Sequence, residues 1–142
     1  MNRHRAVLAL WMMVALSGLL SILTGILGVS IYRMRTAYSM EQGIDAAYAA
    51  ESGAQWALVY LSGAALPDRY EEEAKIGGDT SFKVIIEKVS FDEEKNIWKG
   101  KVRSRGVHDA SGTLRYLQLD VTVEGEEVPR RIMVTDLQKW KW

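Results

Sequence analysis

Lys99, Lys101, Arg103 and Arg105 alternate with Trp98, Gly100, Val102 and Ser104. The two-residue period of a strand puts all four cations on one face. Such a row suits polyanions, either acidic wall polymers or DNA phosphates. Lys83, Arg115, Arg130 and Arg131 are candidates to join it. A solvated sheet face would carry the same residues without a ligand, and the acidic run Glu71-Glu72-Glu73 offers it counter-charge, within or between subunits.

The other groups capable of chemistry are sparse. His108 and Asp109 are neighbours and Ser111 follows, but a catalytic triad needs convergence in space, not adjacency in a turn. Asp92, Glu93 and Glu94 lack the alternating ligand spacing of a calcium loop. No cysteine is present, which excludes disulfides, thiolate metal sites and a cysteine nucleophile. No nucleotide-binding glycine loop occurs. The sequence therefore points to a non-enzyme with no catalytic residue, metal, cofactor or small-molecule substrate. Basic and acidic residues balance at 18 each, so nucleic acid is a conceivable partner without specific support.

The elements that must carry these residues begin with an apolar run. Ala6 to Ile31 has no charged side chain, and Arg3, His4 and Arg5 stand before it. A helix over this run reaches about 39 Å at ~1.5 Å per residue, enough to cross a ~30 Å hydrocarbon core with some tilt. Residues 1–31 are thus expected to be a single-pass anchor. Arg3 and Arg5 favour a cytoplasmic N-terminus and an extracytoplasmic domain, although Arg33 and Arg35 reduce the contrast. The competing fate is a cleaved signal with its site near Gly28-Val29-Ser30, but such signals have apolar regions of about 7–15 residues. Ser17, Ser21 and Gly25 recur every four residues, and small residues at that spacing let helices approach closely in lipid.

Residues 32–142 are expected to form one small domain. No proline interrupts Tyr32 to Leu61, and Gly43, Ala46, Ala47, Ala50, Ala54, Ala57 and Leu61 share a helical sector flanked by Met40, Ile44, Tyr48 and Leu58. The spine helix is placed at 32–62, with Gly63 as a left-handed cap. A connecting segment at 63–80 follows, in which Pro67, Asp68 and Glu71 suggest a short acidic helix or turn with a capping box. Thereafter the period shifts to two. Phe82, Val84 and Ile86; Ile97 to Val107; Leu117 to Val123; and Ile132 to Leu137 read as four strands joined by polar turns. The antiparallel sheet is placed at 81–137, and its apolar face needs the spine as cover. A tail at 138–142 carries Trp140 and Trp142, suited to folding back or docking. The fold class is α+β: a long N-terminal helix, anchor continuing as spine, on a four-stranded antiparallel sheet.

The stretch from Ala46 to Leu58, with Ala50-Glu51-Ser52-Gly53 at its centre, resembles the alanine-rich A-A-E-[AS]-G segment of minor type IV pilins, above all the PilX N-terminal type and the K-type pseudopilins of type II secretion. Residues 3–61 take part in the resemblance. It implies a non-catalytic subunit, priming or tip, of a bacterial type IV pilus or a related secretion or competence filament. Its implied partners are other pilin-like subunits, the membrane and an inner-membrane assembly platform. The helix-packing residues would be Ser17, Ser21, Gly25, Ala47, Ala50 and Ala54. Two departures stand out. Arg5 occupies the place of the glycine before the prepilin cleavage site, and the first acid is Glu41, so the glutamate near the mature N-terminus is missing. Tip-type minor pilins share the latter lack. Glu51 would either reach solvent or meet a basic group. The alternative function is an anchored extracytoplasmic module binding anionic polymers through Lys99, Lys101, Arg103 and Arg105.

Overall fold

The computed structural model describes residues 2–63, 65–125 and 128–140, with side chains characterised except at 2–6, 9, 139 and 140. One helix, α1 (Asn2–Gly63), precedes five strands, β1 (Arg69–Gly77), β2 (Thr80–Asp92), β3 (Ile97–His108), β4 (Thr113–Glu124) and β5 (Arg131–Trp140). The strands pair in sequence order as an antiparallel meander. The chain divides into two compact units, Met1–Met40 and Glu41–Trp142.

In the first unit the described residues of the helix are almost all exposed. Leu10, Trp11, Met13, Leu16, Leu20, Ile22, Ile26 and Ile31 are all exposed. This helix is long and apolar enough to cross a membrane. Ser17, Ser21 and Thr24 turn their hydroxyls back onto the carbonyls of Val14, Ser17 and Leu20. Those polar atoms are satisfied inside the helix, as lipid would require.

In the second unit the helix is clamped. Ala46, Ala49, Ala50, Ala54, Ala57 and Leu61 are each at most 3 % exposed. They lie on Phe82, Val84, Ile86, Trp98, Val102, Leu117, Leu119, Val121 and Val123, the inward face of β2, β3 and β4. Burying each larger aliphatic side chain contributes about 1.5–3 kcal/mol, so this seam is the main source of the domain's stability. Two glycines set its depth. A Cβ on Gly106 would run into the backbone of Ala46 and Ala50, and one on Gly53 would meet the Phe82 ring and Ser104 Oγ. Helix and sheet therefore approach at backbone distance there, which only alanine and glycine permit.

Three expectations are corrected. The sheet has five strands rather than four, because residues 69–77 form β1 instead of a short acidic helix or turn. Tyr70, Glu72 and Ala74 pair with Ile86, Val84 and Phe82 on the inward side, while Glu71 and Glu73 pair with Ile85 and Lys83 on the outer side. Asp68 caps no helix; it grips Lys88 through both its carbonyl and its carboxylate. Gly63 ends α1 without a left-handed conformation, and Arg130 N–H donates to the Ser62 carbonyl at 3.1 Å instead. The strand expected to stop at Leu137 continues to Trp140, inside the segment expected as a tail; residues 141 and 142 lie outside the described residues.

The turns obey local chemistry. Gly78 and Asp79 close the β1–β2 hairpin, and Gly78 takes φ +55°, the left-handed start that a two-residue hairpin demands. Asp92 Oδ1 accepts from Lys95 N–H across the β2–β3 turn.

Candidate functional site

The outward face of the sheet collects the charged residues, and strand register fixes their neighbours. One cross-strand row runs Glu73, Lys83, Arg105, Tyr116 and Trp140, and the next runs Glu71, Ile85, Arg103, Gln118 and Gln138. A third runs Arg69, Glu87, Lys101, Asp120 and Asp136. The four expected cations are thus on one face, but their surroundings differ. Arg103 Nη2 lies 3.3 Å from Glu87, which also sits 3.8 Å from Arg69. Lys101 stands between Glu87 and Asp120 in register. Lys99 is exposed at the far end. Arg105 is half-buried, and its Nε is shut from solvent without a hydrogen-bond partner.

Of the nearby basic candidates, Lys83 joins the face and bonds Glu71 at 3.4 Å. Arg115 does not; its guanidinium lies against Gly43 on the helix. Arg131 pairs in register with Glu124 at the opposite end of β4. The acidic run splits by strand alternation. Glu71 faces out and bonds both Arg69 and Lys83, and Glu72 faces in and accepts from Tyr70 Oη at 2.8 Å. The hydrogen bond from Arg69, then that from Lys83, holds the Glu71 carboxyl below its ordinary value. The same contact raises Arg69, and the bond to Glu72 raises the Tyr70 phenol.

A concavity of about 600 Å³ opens on this face, lined by Lys83, Ile85, Arg103, Arg105, Tyr116 and Gln118, with Ser104 and Leu117 between them. Among the described residues no carboxylate lines it. The sequence reveals its cations but not its shape, because Ile85, Tyr116 and Gln118 reach it only through cross-strand register.

The helix residues separate clearly. Ala50 and Ala54 are buried on the sheet, Ala47 is half-buried, and Ala49, absent from the expected stripe, is 1 % exposed. Within the alanine-glutamate-serine-glycine stretch, Ala50 and Gly53 sit in the seam, whereas Ser52 is half-buried and Glu51 is half-buried with a partner of its own. Ser17, Ser21 and Gly25 are exposed in the first unit, and Gly25 borders a shallow groove with Ile22, Ile26, Val29, Ser30 and Arg33.

His108 Nδ1 lies 2.9 Å from Ser111 Oγ, which also bonds Thr113 Oγ1. Asp109 turns the other way, to Ser81 Oγ at 2.9 Å and Lys75 at 3.8 Å. The acid that would orient the imidazole is committed elsewhere, so these bonds lock a turn rather than assemble a nucleophile. Among the described residues no three histidine, aspartate or glutamate side chains gather as metal ligands. Comparison with protein families, with curated proteins and with solved structures finds no match.

Proposed function

We propose that this chain is a membrane-anchored, pilin-like structural subunit that packs laterally against other helix-anchored subunits. One observation carries the proposal. Within a single helix, α1, one stretch exposes its large apolar side chains on all sides, while another presents glycine and alanine to a meander sheet. A lone soluble domain has no use for the first stretch, and a plain anchor has no use for the second. The composition of the anchor supports lateral packing. With no acid in it, it gains nothing from ion pairing in lipid, and association relies on close contact along Ser17, Ser21 and Gly25. The serine hydroxyls already satisfied within the helix leave that stripe free to pack. Arg3 and Arg5 support an orientation with the N-terminus in the cytoplasm and the sheet outside. A priming or tip position in a pilus, secretion or competence filament follows from the resemblance and the missing anchor acid.

The test uses the natural membrane. A photo-reactive residue replaces Ser21, and a second variant carries it at Leu19, on the opposite side of the helix. Adducts from position 21 should contain, by mass spectrometry, chains with their own N-terminal apolar helix, whereas position 19 should yield mostly lipid. Equal lipid adducts from both positions would overturn the proposal. Gly25→Leu should remove the position-21 adduct while membrane insertion persists.

The polymer-binding alternative is weakened by Glu87, which ties up Arg103 in the middle of the cation row.

A further inference from the structure

The end of the cation row beyond Arg103 behaves differently. Lys83 and Arg103 each have a carboxylate partner, at 3.4 and 3.3 Å, on the rim of the concavity. Arg105, between them and Tyr116 in register, has none. An unpaired guanidinium nitrogen is costly in a folded protein, and Arg105, whose Nε has no partner, lines a hollow of about 600 Å³. That volume lies in the range of small-ligand sites, which combine apolar walls with a few placed polar groups. Here the walls are Ile85 and the Tyr116 ring, Gln118 adds an amide, and all three charged residues are cations.

We infer that this hollow binds a small organic anion, with its carboxylate or phosphate on Arg105 and an apolar or aromatic body against Tyr116 and Ile85. An arginine presents a planar fork that takes such an oxyanion by two parallel hydrogen bonds, which a lysine cannot imitate. Lys83 and Arg103, already half-neutralised, add long-range attraction without competing for the same oxygens. The inference assigns binding of this anion and no reaction. The inference stands apart from the filament proposal: it concerns the outer sheet face only, and either can fail alone.

The full chain in an uncharged nanodisc would be titrated with phenyl phosphate, benzoate and inorganic phosphate, followed by amide chemical shifts of β2, β3 and β4. Phenyl phosphate or benzoate should saturate at these strands and bind at least tenfold tighter than inorganic phosphate, and the better of the two identifies the oxyanion. Arg105→Gln should weaken it tenfold or more, and Arg105→Lys nearly as much although the charge remains. Tyr116→Leu should cost the aromatic probe several-fold and inorganic phosphate nothing. Lys99→Gln, on the same strand but outside the hollow, should change nothing. Absence of saturable shifts, equal affinity for all three anions, or an effect of Lys99→Gln as large as that of Arg105→Gln would each overturn the inference.

Discussion

The two stretches of α1 solve opposite problems with the same backbone. Between Val7 and Met34 large apolar side chains predominate, and those described are exposed around the circumference, with a small stripe at Ser17, Ser21 and Gly25 among them. Between Ala46 and Leu61 the buried ones are nearly all alanine, with Gly53 among them. Large apolar side chains stabilise a helix whose surroundings are themselves apolar. Small ones are needed where the surroundings are another piece of protein that must come within backbone reach. Glycines make the contrast concrete. A Cβ at Gly18, Gly25 or Gly28 would meet nothing within 4 Å, whereas one at Gly53 or Gly106 would collide with the opposing element.

That contrast breaks first at Gly106. Gly106→Val should push the sheet off Ala46 and Ala50 and cost about 3 kcal/mol, the upper part of the range for overpacking. Urea unfolding followed through near-ultraviolet tryptophan dichroism would show it, and Trp98, 1 % exposed, is the natural reporter. Gly53→Ala comes next. A single methyl pressed on Phe82 and Ser104 should cost about 1–3 kcal/mol in the same assay. Gly25→Ala is the matched control, and it should leave the unfolding midpoint of the sheet domain where it was.

The smallest effect belongs to the outer face. Glu71 has its carboxyl lowered by Arg69 and Lys83. The stability it contributes is therefore present above its ordinary value of 4.5 and lost as the pH falls through the lowered one. Glu71→Gln should cost a barely measurable amount at neutral pH, and variant and parent should converge in acid. Solvent screens this contact, so 0.5 M salt should erase the difference at neutral pH.

Much of the architecture is legible in the sequence because periodicity reports it directly. The uncharged run marks the lipid-length helix, and strict alternation in Leu117 to Val123 or Trp98 to Arg105 marks strands with one buried face. The first strand escapes because Pro67-Asp68 followed by three glutamates imitates a helix start. What makes it a strand is the chance for Glu71 and Glu73 to face Ile85 and Lys83, a pairing that lies a dozen residues away. The exchange of Ala47 for Ala49 in the seam has a similar origin. Alanine occurs on several sides of this helix, so apolar contrast does not choose the buried side; Gly106, far along the chain, does. The hollow around Arg105 is hidden for the same reason, since register alone brings Lys83, Arg105 and Tyr116 into one row.

The most direct measurement is a spin-label scan of α1, feasible because the chain has no native cysteine to remove. Single cysteines at Leu20, Ile26 and Gln55 would be labelled in lipid vesicles and exposed to oxygen, which concentrates in the hydrocarbon, and to a water-soluble nickel chelate. Labels at 20 and 26 should respond to oxygen and ignore the chelate, and the label at 55, on the exposed side of the sheet-bound stretch, should do the reverse. Chelate contact at 20 and 26 equal to that at 55 would contradict a helix that lies in lipid at one stretch and carries a folded sheet at the other.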